Sequence, residues 1–221
     1  MQFVFDIDGT ICFDRFQIDA RIKAILKDAA NYGHQISFAS ARSYRDCIDV
    51  LGQELSQKTV IGLNGGLAYK AGELILEKPM NHRAFDLALY YCHRYQLPYF
   101  VDDDFNYAHH LEQFIPFIHS VDPLKLAKEV VVEDLKHPIK MVVFFGNHLD
   151  KIAEVSHHLA KLEQLDITFH DDESCLLKKS LNLQRFKSSL IMISLLLVMI
   201  AMISLCSKQR FIVCKLVILQ I

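Results

Sequence analysis

The chain has 221 residues, 52% hydrophobic and 23% charged with net charge −2, which suits one sizeable core or a modest core carrying an inserted unit. That balance argues against nucleic acid as a partner. Six cysteines (Cys12, Cys47, Cys92, Cys175, Cys206, Cys214) show no CxxC pair and no zinc spacing, and 1–6 is too short an apolar run for a secretory signal, so a reducing cytoplasm is expected.

The averages join two unlike segments. All 26 acidic residues, all 8 glycines and all 5 prolines lie at or before Glu173, while 174–221 holds seven of the 24 basic residues. Residues 1–173 therefore carry 17 basic against 26 acidic side chains, about −9.

In chain order, the apolar run 2–5 ends abruptly in Asp6-Ile7-Asp8-Gly9-Thr10, and 18–32 shows helical spacing through Ile22, Ile25, Leu26 and Ala29, closed by Gly33 and His34. A second apolar run, 36–39, ends in Ser40-Ala41-Arg42, and a third, 59–63, ends in Asn64-Gly65-Gly66. Strand, helix, strand, helix, strand implies a parallel sheet. Ligands bind such sheets beyond the carboxyl ends of the strands, so Asp6, Asp8, Ser40, Arg42 and Asn64 should converge.

Those residue types suit phosphoryl chemistry. A strand-end aspartate, Asp6, can attack phosphorus as a covalent nucleophile, and a cation is needed between the carboxylate and a phosphate dianion, which implies magnesium. Asp8, two residues on, can protonate the leaving oxygen and later deprotonate water. Ser40 would donate its hydroxyl to a phosphate oxygen, although serine at a strand end is also a common helix cap. Arg42 and Asn64 read equally well as exposed loop residues.

The segment Phe3-Val4-Phe5-Asp6-Ile7-Asp8-Gly9-Thr10 resembles the first motif of the haloacid dehalogenase superfamily, Phe38-Ala39-Ser40-Ala41-Arg42-Ser43-Tyr44 the second motif of its Cof-like (subclass IIB) branch, and Ile61-Gly62-Leu63-Asn64-Gly65-Gly66 that branch's asparagine-glycine loop. The resemblance implies an α/β fold, a Rossmann-like parallel-sheet core with an inserted α+β cap. It also implies an aspartyl-phosphate intermediate, Asp6 and Asp8 as metal ligands for Mg2+, and a small phosphorylated metabolite, a sugar phosphate or a relative, as substrate. Thr10, Ser40, Arg42, Asn64 and Gly65 become the phosphate- and substrate-binding set.

From about residue 81 the pattern changes: 83–95 helical, 99–101 extended, 124–130 helical, 139–145 a buried strand, 149–165 helical and 166–170 a strand. The expected organisation is core 1–80, cap 81–172, return to the core 173–186 and an apolar tail 187–221. Four polar runs, Asp102-Asp103-Asp104, His109-His110, His157-His158 and Asp171-Asp172-Glu173, invite a metal reading. Neighbours on a strand point to opposite faces and on a helix diverge by about 100°, so these read as solvated surface, with Asp102 to Asp104 the one run suited to meeting a substrate.

The end of the chain departs from the family. The resemblance calls for a lysine after the cap, for which Lys179 is the better match and Lys178 the other, and then for a glycine-aspartate, asparagine-aspartate loop; no acidic residue follows Glu173. In its place stand 17 uncharged residues, 190–206, at the short edge of a membrane span and with basic flanks on both sides that set no orientation. A one-nucleotide shift of reading frame from about Lys187 accounts for this better. Read one base earlier, each Met-Ile pair (Met192-Ile193, Met199-Ile200, Met202-Ile203) gives aspartate at the isoleucine position, and synonymous codons allow the rest of the missing loop. The expectation is a magnesium phosphatase whose activity in this chain is severely reduced. A membrane-anchored, non-catalytic phosphate-binding protein and a phosphomutase are the alternatives.

Overall fold

A computed structural model describes residues 1–111, 116–162, 165–170, 180–184 and 211–214. The chain divides into two compact units, one of Met1–Leu76 with Met192–Ile221, the other of Glu77–Ile191.

The first unit is a six-stranded sheet with helices. Strands β1 (Gln2–Asp6), β2 (Gln35–Ala39), β3 (Thr59–Gly62), β4 (Leu67–Lys70), β5 (Glu73–Glu77) and β11 (Phe211–Cys214) lie in the order β11-β1-β2-β3-β4-β5. β11, β1, β2 and β3 are parallel, and β4 returns antiparallel to β3. Helices α1 (Ala20–Asp28) and α2 (Tyr44–Leu55) make the crossovers, as the alternating pattern predicts. Asp19 caps α1 by accepting from the Arg21 amide, and Ser43 caps α2 by accepting from that of Asp46. Val4, Ala39, Ile61 and Ala68 form a buried cluster across four strands, and the Tyr44 ring stacks on Tyr69 at 4.0 Å. Removing each large apolar side chain from water in this way stabilises the fold by roughly 1.5–3 kcal/mol.

The second unit is a five-stranded sheet in the order β7-β6-β8-β10-β9, made of β6 (Tyr99–Asp102), β7 (Tyr107–His110), β8 (Lys140–Phe144), β9 (Asp166–His170) and β10 (Ser180–Gln184). Its neighbours β7 and β6, β6 and β8, β8 and β10, and β10 and β9 all pair antiparallel. One face, with Tyr99, Val101, Met141 and Val143, packs against α3 (His82–Tyr95) and α4 (Ile152–Leu159) through Phe85, Ala88, Cys92, Val155 and Leu159. The other, with Phe100, Val142 and Phe144, is covered by Tyr107, Leu111, Ile118 and Val121. Because both faces are covered, β6 and β8 are apolar without alternation.

Three sequence expectations change. The segment 124–130 is not helical: Asp122 and Lys125 take positive φ (47° and 53°), and the Asp122 carboxylate accepts the amides of Leu126 and Ala127, so a side chain closes the turn that a helix would have closed with backbone. The Asp102 to Asp104 run is not solvated surface, since Asp102 and Asp103 are 5% and 7% exposed and Asp103 accepts the amides of Lys136 and His137. Within 173–186, β10 pairs with β8 and β9 in the second unit's sheet, consistent with its polar–apolar alternation.

His109 and His110 do face opposite ways, the first stacking on Tyr107 and the second on Tyr99. His158 is committed to the Tyr91 hydroxyl at 2.6 Å. Among the described residues no group of three or more His, Cys, Asp or Glu could hold a metal ion, and no helix is long and apolar enough to cross a membrane. Asp171, Asp172, Glu173, Lys178, Lys179 and the run 190–206 lie outside the described residues.

Candidate active site

The site begins where β1 stops. The Ile7 carbonyl accepts the amides of Ile11 at 3.1 Å and Cys12 at 2.9 Å, and the Gly9 amide donates to the Cys12 carbonyl at 2.8 Å. This tight turn places Gly9 at φ 74°, a conformation a side chain would resist. Ile7, Ile11 and Cys12 are buried, whereas Asp6 and Asp8 on the same turn stay partly exposed. Asp6 is oriented by two donors, the Ile7 amide to Oδ1 at 2.9 Å and the Thr10 hydroxyl to Oδ2 at 3.3 Å. Thr10, expected to touch phosphate, thus orients the Asp6 carboxylate.

The ends of β2 and β3 stand beside it. Asp6 is level with Ala39, and Ala39 with Ile61, so the residues after each strand occupy one edge. Two backbone bonds tie these loops together, from the Leu63 amide to the Arg42 carbonyl at 2.8 Å and from the Asn64 amide to the Ser40 carbonyl at 3.0 Å. Leu63, Asn64 and Gly65 all take positive φ, which turns the chain sharply behind the strand. Ser40 is buried; its Oγ accepts the Arg42 amide at 3.1 Å and lies in hydrogen-bond reach of the Cys47 thiol. Burial pushes the pKa values of the Cys47 and Cys12 thiols up, so neither is a nucleophile at neutral pH.

Arg42 crosses the site to Asp8. Its Nε donates to Asp8 Oδ2 at 2.8 Å and Nη2 to Oδ1 at 2.7 Å, a bidentate fork between side chains 20% and 38% exposed. The bond to Asp8 raises the guanidinium pKa. The same Nη2 reaches the Arg15 carbonyl at 2.6 Å. The structure therefore gathers Asp6, Asp8, Thr10, Ser40, Arg42, Asn64 and Gly65 at one sheet edge.

Sequence reasoning missed two contributors. Gly62 packs so closely that a Cβ there would come within 2.8 Å of the Arg42 carbonyl, a demand that no composition reveals. Asp14 folds the loop holding Arg15 by accepting the amides of Phe16 and Gln17, both at 2.8 Å; aspartate two residues before such amides was the available signal.

The Asp6 carboxylate and the Asp8 backbone carbonyl are hard oxygen donors of the kind magnesium takes. They fit it in kind but supply only two oxygens. On the far side of β1, β11 ends level with Phe5, and the sequence continues with Lys215 and no carboxylate.

Residues 3–178 match the haloacid dehalogenase-like hydrolases. The chain belongs to this family. The resemblance read from the three N-terminal motifs is borne out, and so is the Rossmann-like fold with an inserted α+β unit. Solved structures of similar fold include a haloacid dehalogenase-like hydrolase from Bacteroides thetaiotaomicron, at 16% identity and TM-score 0.68 over 90% of this chain and 76% of that one. A Thermotoga maritima protein is similar at 16% identity and TM-score 0.69, over 96% and 78% of the two chains. A subclass IIB sugar phosphatase of the superfamily is similar at 17% identity and TM-score 0.64, over 90% and 76%. No curated protein matches this hydrolase in sequence.

Proposed function

We propose that the chain carries the active site of a phosphomonoester hydrolase acting on small phosphorylated metabolites, sugar phosphates among them. The observation that carries this reading is the pair Asp6 and Asp8 on one turn, the first oriented by Thr10 and Ile7, the second by Arg42. In the first half-reaction an Asp6 oxygen attacks phosphorus, the ester P–O bond breaks, and Asp8 gives a proton to the departing alcohol. In the second, Asp8 takes a proton from water, the water oxygen attacks phosphorus, and the bond to Asp6 breaks, which frees phosphate and returns Asp6 as a carboxylate and Asp8 as the protonated acid. Ser40, Asn64 and Gly65 surround the phosphoryl oxygens, with Lys179 the intended counter-charge. Magnesium, held by the Asp6 carboxylate and the Asp8 carbonyl, would offset the charge between nucleophile and phosphate. Two fixed protein oxygens would hold it weakly, which makes slow turnover the expectation for this chain.

The test is phosphate release from an aryl phosphate with magnesium, comparing this chain, its Asp6→Asn variant and a chain with the earlier reading frame restored. Expected is slow release here, release at least about 10³-fold lower without the nucleophile, and a large gain on restoration. Release that ignores Asp6→Asn would sink the reading.

A further inference from the structure

Arg42 is expected from the sequence to bind phosphate, yet three of its five N–H groups are engaged elsewhere: Nε and one Nη2 hydrogen on Asp8, the other Nη2 hydrogen on the Arg15 carbonyl. The loop it reaches has little else to order it. Phe13 and Phe16 are 58% and 76% exposed, so 13–17 buries almost no apolar surface of its own between the buried anchors Cys12 and Ile18. Arg15 also sits at φ 68°, a left-handed conformation that L residues resist. What holds it is polar: Asp14 on the Phe16 and Gln17 amides, the Cys12 thiol on Asp14 at 3.7 Å and on the Arg15 backbone, and Arg42 on the Arg15 carbonyl.

We infer that Arg42 is a positioning residue, a brace whose planar fork fixes the Asp8 carboxylate and loop 13–17 together. Its functional consequence rests on the reading of Asp8 as the acid–base group. Lysine cannot substitute, because a point charge cannot span two carboxylate oxygens and a carbonyl at once.

Hydrogen exchange on the full chain tests this without relying on turnover. Arg42→Ala should raise exchange across 13–17 at least tenfold while the amides of β2 stay protected, and millimolar guanidinium should reverse the rise. Asp8→Ala should raise exchange in the same five residues, and the double variant no further than Arg42→Ala. If Arg42→Ala also exposes β2, Arg42→Lys carries the test and should loosen 13–17 alone. Unchanged exchange in 13–17, additive effects, or full protection in Arg42→Lys would overturn the inference. Inorganic phosphate, read from protection of the Asn64 and Gly65 amides, should bind Arg42→Ala within threefold of the parent; a larger loss would make Arg42 a phosphate anchor and overturn the brace. Phosphate that protects nothing in the parent would count against the phosphatase reading and leave the loop result standing.

Discussion

Asp14 and Asp103 do the same work in opposite surroundings, each folding a loop by accepting two backbone amides. At the exposed Asp14 the amides of Gln17 and then Phe16 dominate and hold its carboxyl below the usual range. At Asp103 burial dominates and pushes the carboxyl up despite the same kind of bonds. The consequences for stability differ in sign. Asp14's contribution is present above about pH 4 and is lost as pH falls through its depressed value. At Asp103 the folded state holds its proton longer than the unfolded chain, so stability declines as pH rises from below 3.8 through the raised value. A carboxyl-resolved NMR titration should show Asp103 titrating above Asp14; the reverse order would refute this. Asp103→Ala should cost about 1–3 kcal/mol in urea unfolding, because two part-buried hydrogen bonds, from the Lys136 and His137 amides, lose their acceptor. The sequence made Asp6, Asp8, Ser40 and Asn64 legible because each follows an apolar run directly. It could not show that Arg42 would turn to Asp8, nor that two residues of an aspartate triplet would be buried, since both depend on partners distant in sequence.

Helices α1 and α3 were legible from their apolar pattern, whereas the hairpin of β4 and β5 was not. Its two-residue turn, Ala71-Gly72, has both residues at positive φ (53° and 79°), the conformation that asparagine-glycine usually announces. Alanine gives no such signal and is strained there. Ala71→Asn should therefore stabilise the chain by about 0.5–1 kcal/mol in urea unfolding, with the bond from the residue 71 amide to the Gln57 carbonyl kept. No gain would mean that the turn relaxes at no cost. The lost helix at 124–130 has the complementary cause: apolar spacing was present, but Asp122 supplied the competing acceptor.

At the scale of the molecule, the order of strands and helices disclosed the first unit's parallel sheet, while the pairing of Gln2 with Phe211 lay beyond any local pattern. A chain ending at residue 209 should lose protection in β1 at least tenfold by hydrogen exchange, with β6 and β8 of the second unit unaffected; full protection of β1 would mean that β11 adds nothing. The same pairing sets a schedule. At roughly 5–20 residues per second, β1 leaves the ribosome about 10–40 s before its second neighbour exists. Through that interval one edge of the strand that ends in Asp6 is an open template, and whatever keeps the newborn chain from being joined there by a stray strand must act before translation ends.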